Sequence, residues 1–441
     1  MIIIIGGGPA GMMAAISAAS TQNEVILIEK NEHLGRKLLL TGGGRCNLTN
    51  ICGSEDLIHH FSKTGSFLRD AFKAFDNNDL ISFFARRGLK TRIEEDGRVF
   101  PVTDKASSVL DLLIEEVKKL KIKVLVNTSV KEVIVSQSVV KSVLREDGTI
   151  IEADKVIVAA GGLSYEATGS TGDGIRIAEK LGHTIVPLTP GIVALTLEST
   201  LPERLEGVSL NDVKLVFKAG KKKAASGKGS IIFTKNGISG PITLSSSSKV
   251  VDWLNEGKKV SLEIDIMPML DPKETEEVLI KKISGSSVKK LKNILKEFVP
   301  MRFSELLLEL SKIPQDKKAN QLTSKERKDL IMLFKKVKFD VANTVSFEKA
   351  QITRGGISVK EIDPGTMESK KVKGLYFAGE MIDVDGDCGG FSLQAAFSTG
   401  YLAGLSRTRY EDLDDSIFVD RKGHRGIIFP KGGSEQWQKE Q

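Results

Sequence analysis

The chain has 441 residues, more than one ordinary core holds, and its 64 Lys and Arg against 57 Asp and Glu leave a net charge of +7. With 40% hydrophobic and 27% charged residues, no apolar run approaches the ~20 residues of a membrane helix, and the N-terminus lacks the basic start of a signal peptide. Cys46, Cys52 and Cys388 make no Cys-x-x-Cys pair, and five scattered histidines lack companions at ligand spacing, so a disulfide framework and a metal site are not expected and the cytoplasm is.

Met1–Ile5 is a β-branched apolar run, the pattern of a strand buried on both faces of a parallel sheet. Gly6, Gly8 and Gly11 follow at G-x-G-x-x-G spacing, with Pro9 and Ala10 between them, and open an alanine-rich helix. A second strand, Glu24–Ile28, ends in Glu29. In such a unit the first glycine permits a tight turn, the second lets backbone approach a pyrophosphate, and the third permits close helix packing. The helix N-terminus favours the anion, and the terminal acid accepts hydrogen bonds from a ribose. Strand, glycines, helix, strand and acid together imply a dinucleotide site.

Next comes a loop dense in Gly, Arg and Asn (33–50). Residues 66–121 read as helices with a strand-like break at Gly97–Pro101. Val124–Val126, Val130–Val135, Val139–Arg145 and Thr149–Glu152 read as a meander with a hairpin turn at Asp147-Gly148. Lys155–Ala160 is another buried strand, running into Gly161-Gly162. Gly374–Ala378 is a late one, running into Gly379-Glu380, with a glycine-opened helix from Gly389-Gly390 to about Leu405. First strand, meander, middle strand and late strand are all expected in one doubly wound sheet. The segment between, about 189–347, reads as an insert: short β-stretches, then lysine-rich helices. The expected domains are 1–188 and 348–409 for the dinucleotide, 189–347 for the insert, and a loosely held tail, 410–441.

The late glycine stations after two further strands resemble the glutathione-reductase-type FAD proteins, whose usual Gly-Asp is Gly379-Glu380 here. The motifs TGGGRCNLTN (41–50), FTKNGISGP (233–241), AQITRGGIS (350–358) and GLYFAGEMIDVDGDCGGFSLQAAFSTGYLAG (374–404) narrow the likeness. They resemble bacterial flavoproteins labelled NAD(P)/FAD-dependent oxidoreductase or aminoacetone oxidase family FAD-binding enzyme, over Met1 to about Ser406. Enone reductases acting on bile-acid intermediates are similar to that family. The resemblance implies an α/β, Rossmann-like FAD domain interrupted by an insert, non-covalent FAD, and hydride transfer through flavin N5 to or from a small organic substrate. NAD(P)H is a possible transient donor. Lys235 and Phe391-Ser392 depart from the family's usual His and Tyr-Asn.

The cofactor-binding set expected from motif and resemblance starts with the glycine turn and Glu29, extended by Lys30 and, after the second strand, Val130. Arg36, Lys37 and Arg45 are candidates to neutralise a pyrophosphate or a reduced flavin. Gly43 and Gly44 offer bare N–H groups, with Cys46 and Asn47 beside them. Ala160, Gly161, Gly379 and Glu380 form the later stations. Gly390 opens a helix whose first turn, Ser392, Leu393 and Gln394, can face the flavin N1–C2=O edge. Catalytic residues are not legible. Cys46 and Cys388 read as small inert residues, and His33, His59, His60, His183 and His424 as solvated or structural. Two alternatives stay open: an oxygen-dependent amine oxidase, and a flavin-containing RNA-modifying or nucleic-acid-binding protein. The lysines of the insert, Lys221–Lys223 among them, favour a solvated surface over nucleic acid, since no aromatic interleaving accompanies them.

Overall fold

Four isoleucines in a row, Ile2–Ile5, are all buried, as a central parallel strand demands. They pair in parallel with Val25–Ile28 on one side and Lys155–Val158 on the other. Lys123–Leu125 and Leu375–Phe377 complete a five-stranded sheet at its two edges. These relations come from a computed structural model, which describes residues 1–405 except 22, 54, 63, 286 and 287, and beyond them the backbone of Ile417–Val419 and Arg425–Ile427. The rest of the tail expected at 410–441, with His424, lies outside the described residues.

The chain divides into two compact units, residues 1–188 with 355–441, and residues 189–354. In the first, the helix Pro9–Ser20 packs against Phe391–Leu405 with no room to spare. A Cβ on Gly400 would lie 2.2 Å from the Ala10 carbonyl oxygen, and one on Gly404 would lie 2.4 Å from that of Ala14. The small residues of both helices therefore bring their backbones together. The Ser17 hydroxyl donates to the Tyr401 carbonyl at 2.8 Å across this contact.

One expectation is corrected. Of the meander, only Lys123–Leu125 joins the parallel sheet. Val130–Ser136, Val139–Arg145 and Ile150–Glu152 form their own three-stranded antiparallel sheet. The physical reason is their burial. Val130–Ser136 and Val139–Arg145 mix buried with exposed positions, which suits a sheet with one solvated face and not the centre of a parallel one. Within 66–121 the strand-like break expected at Gly97–Pro101 is the strand Arg98–Pro101, which pairs with Thr91–Ile93 and with Thr49–Asn50. The strand-like break is thus the middle of a small sheet that anchors the Gly/Asn-rich loop.

The second unit is a closed six-stranded barrel in the order Leu195–Leu197, Gly237–Ser239, Lys222–Thr234, Ser209–Ala219, Val260–Asp265, Val337–Thr344. The strand Val337–Thr344 follows the last helix, so the β-structure is completed after the helices rather than before them. The barrel strands and the helices Pro272–Ser284, Leu291–Leu295, Met301–Leu310 and Ser324–Lys335 share one hydrophobic core. No helix among the described residues is long and apolar enough to cross a membrane.

Candidate functional site

The glycine turn stands at the carboxyl end of the first strand. Gly6 has φ +108, and a Cβ there would lie 2.5 Å from the Ala159 carbonyl oxygen. A Cβ on Gly11 would lie 1.8 Å from the Gly6 carbonyl oxygen, so both positions are closed to any side chain. Gly8 has nothing within 4 Å of its would-be Cβ. It caps the helix Pro9–Ser20 with no side-chain hydrogen bond, which leaves the first-turn N–H groups available to an anion.

Glu29 is buried, and both its oxygens are engaged. Oε2 accepts from the Gly7 N–H at 2.7 Å, and Oε1 accepts from the Asn31 N–H at 2.8 Å and the Asn31 Nδ2 at 2.7 Å. The acid thus ties the glycine turn to the strand that bears it, besides any ribose it would meet. Asn31 extends the tie: its Nδ2 donates to the Thr168 carbonyl at 3.2 Å, and its Oδ1 accepts from Arg36 at 2.9 Å.

The expected cations are partnered. Lys30 reaches Asp173 at 2.5 Å and Thr171 at 2.6 Å. Lys37 reaches Glu380 at 2.6 Å and Ser164 at 2.5 Å, and Ser164 donates to the other oxygen of Glu380 at 3.0 Å. Arg45 pairs with Glu94 at 2.7 Å and stacks over the Phe100 ring at 4.0 Å. The arginine also holds the Glu94 carboxyl below its ordinary range. Lys37 and Glu380 therefore form one polar knot at the ends of two strands. The chain's own acids absorb much of the positive charge that the sequence offered to a phosphate.

Two glycine-rich segments each lie against the small sheet, Gly42 by Phe100 and Gly390 by Thr49. Gly42, Gly43 and Gly44 take φ of +57, +67 and +86, and Gly43 has open space where a Cβ would be. A Cβ on Gly390, with φ +100, would lie 2.6 Å from the Thr49 carbonyl oxygen. Only a glycine lets the start of Phe391–Leu405 approach the Thr49–Asn50 strand this closely. Asn47 Oδ1, Ser392 Oγ and Gln394 Oε1 are buried without a hydrogen-bond partner among the described residues. Gln394 Nε2 is fixed by Ser398 Oγ at 2.9 Å and the Phe75 carbonyl at 3.3 Å, which leaves its oxygen as the unused end. Unpaired buried polar atoms are costly unless a ligand or water completes them. The three come from two stretches of the expected set, the Gly/Asn-rich loop and the first turn of Phe391–Leu405. Leu393 is half-buried in the same turn.

The later stations place Gly161 at φ +74, with Ser170 Oγ 3.2 Å and Glu380 4.0 Å from its would-be Cβ. Ala160 packs beside Gly174. The Gly379 N–H donates to Thr399 Oγ1 at 3.0 Å. Val130 begins the separate antiparallel sheet. Cys46 is fully buried at φ +64, and burial pushes its thiol up to about 12 against a smaller opposing hydrogen bond from Thr41. His183 is buried between Ser369 Oγ at 2.8 Å and the Ala178 carbonyl at 3.1 Å, and burial lowers its pKa. His60 stacks on Phe391 with ring centroids 4.1 Å apart.

Sequence reasoning missed Asn31, Ser164, Thr171, Asp173 and Thr399. The stretch Gly169–Gly174 lacks the spacing of a second dinucleotide turn, yet it folds back on the first: a Cβ on Gly169 would lie 2.4 Å from Asn31 Nδ2. Its glycine density was the available signal.

A family model described as HI0933-like protein Rossmann domain matches residues 1–406. A 3-dehydro-bile acid delta(4,6)-reductase of Clostridium scindens is 35% identical over 403 residues, 91% of this chain and 97% of that one. A ribosomal RNA dihydrouridine synthase of Haemophilus influenzae is 33% identical over 411 residues, 92% of this chain and 98% of that one. The enzyme of the same name from Escherichia coli is 31% identical over 399 residues, 90% and 96% of the two chains.

Proposed function

The chain belongs to the HI0933-like Rossmann-domain family, and we propose that, as an FAD-dependent oxidoreductase, it reduces a carbon–carbon double bond conjugated to a carbonyl. The observation that carries this is the reaction shared by the whole-length relatives' names. A delta(4,6) bond beside a 3-oxo group and the C5=C6 bond of uridine are both alkenes activated by a carbonyl.

The residues present fit FAD. The open Gly8 and the uncapped helix behind it suit a pyrophosphate, with Glu29 at a ribose. Ser164 and Glu380 suit the ribityl chain. Gly43, with open space at its would-be Cβ, and Asn47, Ser392 and Gln394, whose unpartnered atoms would gain partners, suit the ring. When bound and reduced by the nucleotide donor, FAD would supply a hydride to the alkene carbon remote from the carbonyl, with a proton from solvent completing the other carbon. The first turn of Phe391–Leu405 would offer helix N–H groups to negative charge on the ring, a contribution of about 0.3–2 kcal/mol. NAD(P)H is the proposed donor. The sequence has one strand–glycine–helix fingerprint, already assigned to FAD, so the nicotinamide nucleotide would visit without a Rossmann turn of its own.

A uridine base in RNA is a second reading of the substrate, with the same chemistry, favoured by the ribosomal RNA relatives. The first experiment denatures the purified protein and identifies the released chromophore, then adds NADH or NADPH to the intact protein without oxygen. Released FAD, bleached by one of the two nucleotides, is expected. FMN, no flavin, or bleaching by amines alone would refute the reading.

A further inference from the structure

Charge is divided unevenly along the chain. Residues 189–354 hold 30 Lys and Arg against 20 Asp and Glu, while the rest of the chain holds 34 against 37. Within 189–354 much of this charge is matched. Lys218 and Lys336 share Glu263, Lys335 meets Asp265, and Lys222 and Lys258 share Glu256.

The stretch 281–318 is also partly matched, with Lys292 on Glu305 and Lys317 on Glu326, but it gathers further lysines around those pairs. The chain at 289–291 runs against 317–319. Lys290 and Lys318 are bridge partners, the Leu291 N–H donates to the Lys317 carbonyl at 2.9 Å, and the Ala319 N–H donates to the Lys289 carbonyl at 3.0 Å. Lys281 and Lys282 stand in the last turn of Pro272–Ser284, and Lys282 reaches Glu297 at 2.6 Å. Glu297 is held below its ordinary range first by Lys282 and then by Lys289 and Lys296, which places those lysines around one acid. Lys281, Lys282, Lys289, Lys290, Lys296 and Lys318 are all exposed. Like charges on paired segments repel and cost stability. A merely solvated surface gains nothing from gathering them.

We propose that this lysine cluster is a docking surface for the phosphate backbone of a structured RNA. The inference extends the RNA reading of the substrate and does not depend on the redox chemistry. A phosphate backbone needs cations spread over a face, not a single deep pocket, and lysine serves it as a point charge. An anionic membrane would instead need an apolar stripe beside the lysines. Of the large apolar side chains beside these lysines, Val288 is 74% exposed and Val278, one turn before Lys281 and Lys282, is 36% exposed, two separate positions that make no continuous stripe.

The test measures binding of the FAD-loaded protein to a labelled RNA stem–loop by fluorescence anisotropy at several salt concentrations. The triple variant Lys289→Ser, Lys290→Ser, Lys318→Ser is compared with the wild type and with Lys221→Ser, Lys222→Ser, Lys223→Ser, which removes the same charge from a barrel hairpin. Each lost phosphate contact lowers the salt slope by about 0.9, so the cluster variant loses about 2.7. Its affinity deficit then shrinks about 40-fold between 50 and 200 mM salt. The hairpin variant keeps the wild-type slope, and Lys289→Arg, Lys290→Arg, Lys318→Arg keeps binding. Flavin reduction by the nucleotide donor is unchanged in all of them. Equal losses in both triple variants, no loss in either, or a matching cluster-dependent affinity for phosphatidylglycerol vesicles would overturn the proposal. Intact RNA binding with no flavin reduction would instead sink the redox reading alone.

Discussion

Replacing Glu29 with alanine should damage the empty protein as well as its cofactor binding. Motif reasoning gives this acid a single job at a ribose. The structure gives it three hydrogen bonds from its own chain: the N–H groups of Gly7 and Asn31 and the Asn31 amide, all within 2.8 Å. Hydrogen bonds to a charged group contribute about 1.5–3 kcal/mol each when their donors stay buried. The turn is open at Gly8, so water can recover part of that, and about 1 kcal/mol per bond is the safer figure. Glu29→Ala should then cost the FAD-free protein about 3 kcal/mol. Loss of the ribose bond should weaken FAD a further ten- to hundred-fold, as about 1.5–3 kcal/mol. Glu29→Gln should fall between, since its amide can accept from Gly7 but presents donors to donors at Asn31. Urea titration of the FAD-free proteins reads the first quantity, and calorimetric FAD titration reads the second. If Glu29→Ala leaves the empty protein at wild-type stability while FAD binding collapses, the structural role assigned to this carboxylate is wrong.

Gly400→Ala, whose Cβ would press on the Ala10 carbonyl oxygen at 2.2 Å, should lower stability by about 1–3 kcal/mol and loosen FAD; an unchanged melting temperature would refute that packing. Asp79→Asn should stabilise the protein at pH 7 and not at pH 4. Burial and then repulsion from Asp76 raise the Asp79 carboxyl to about 6, above its unfolded value, so the folded state loses stability as pH rises through that range. The gain expected in denaturant melts is about 1 kcal/mol. Cys46 should resist alkylation in the native protein, because its thiol is buried and pushed up to about 12; peptide mapping that finds it labelled before unfolding would contradict its assigned burial.

The legible parts of the chain were those in which one residue pattern has one physical solution. Ile2–Ile5, Pro9–Ser20 and Val25–Ile28 follow from an apolar run, a glycine turn and a slim alanine helix, and Lys155–Val158 and Leu375–Phe377 from apolar runs that end in glycine. The meander showed strands without showing which sheet they enter, since alternation fixes a strand's face and not its neighbours. The Thr49–Asn50 strand has two residues and owes its existence to Arg98–Val99 across from it. Val337–Thr344 alternates buried and exposed along most of its length, a signal that the run of helices before it obscured. At the candidate site the glycines and Glu29 could be read by type and spacing. Asn31 and Ser164 could not, because their roles arise from loops that meet only in the folded chain.

The central claim is reduction of a carbonyl-activated alkene, and one measurement bears on it most directly. The FAD-loaded protein is reduced to one equivalent without oxygen and mixed with a 4-en-3-one steroid or with a uridine-containing ribosomal RNA fragment, while flavin absorbance and products are followed together. The account predicts that the flavin reoxidises in step with one saturated C–C bond per cofactor. Flavin that stays reduced with both alkenes, yet reoxidises promptly with oxygen after reduction by an amine, would contradict it.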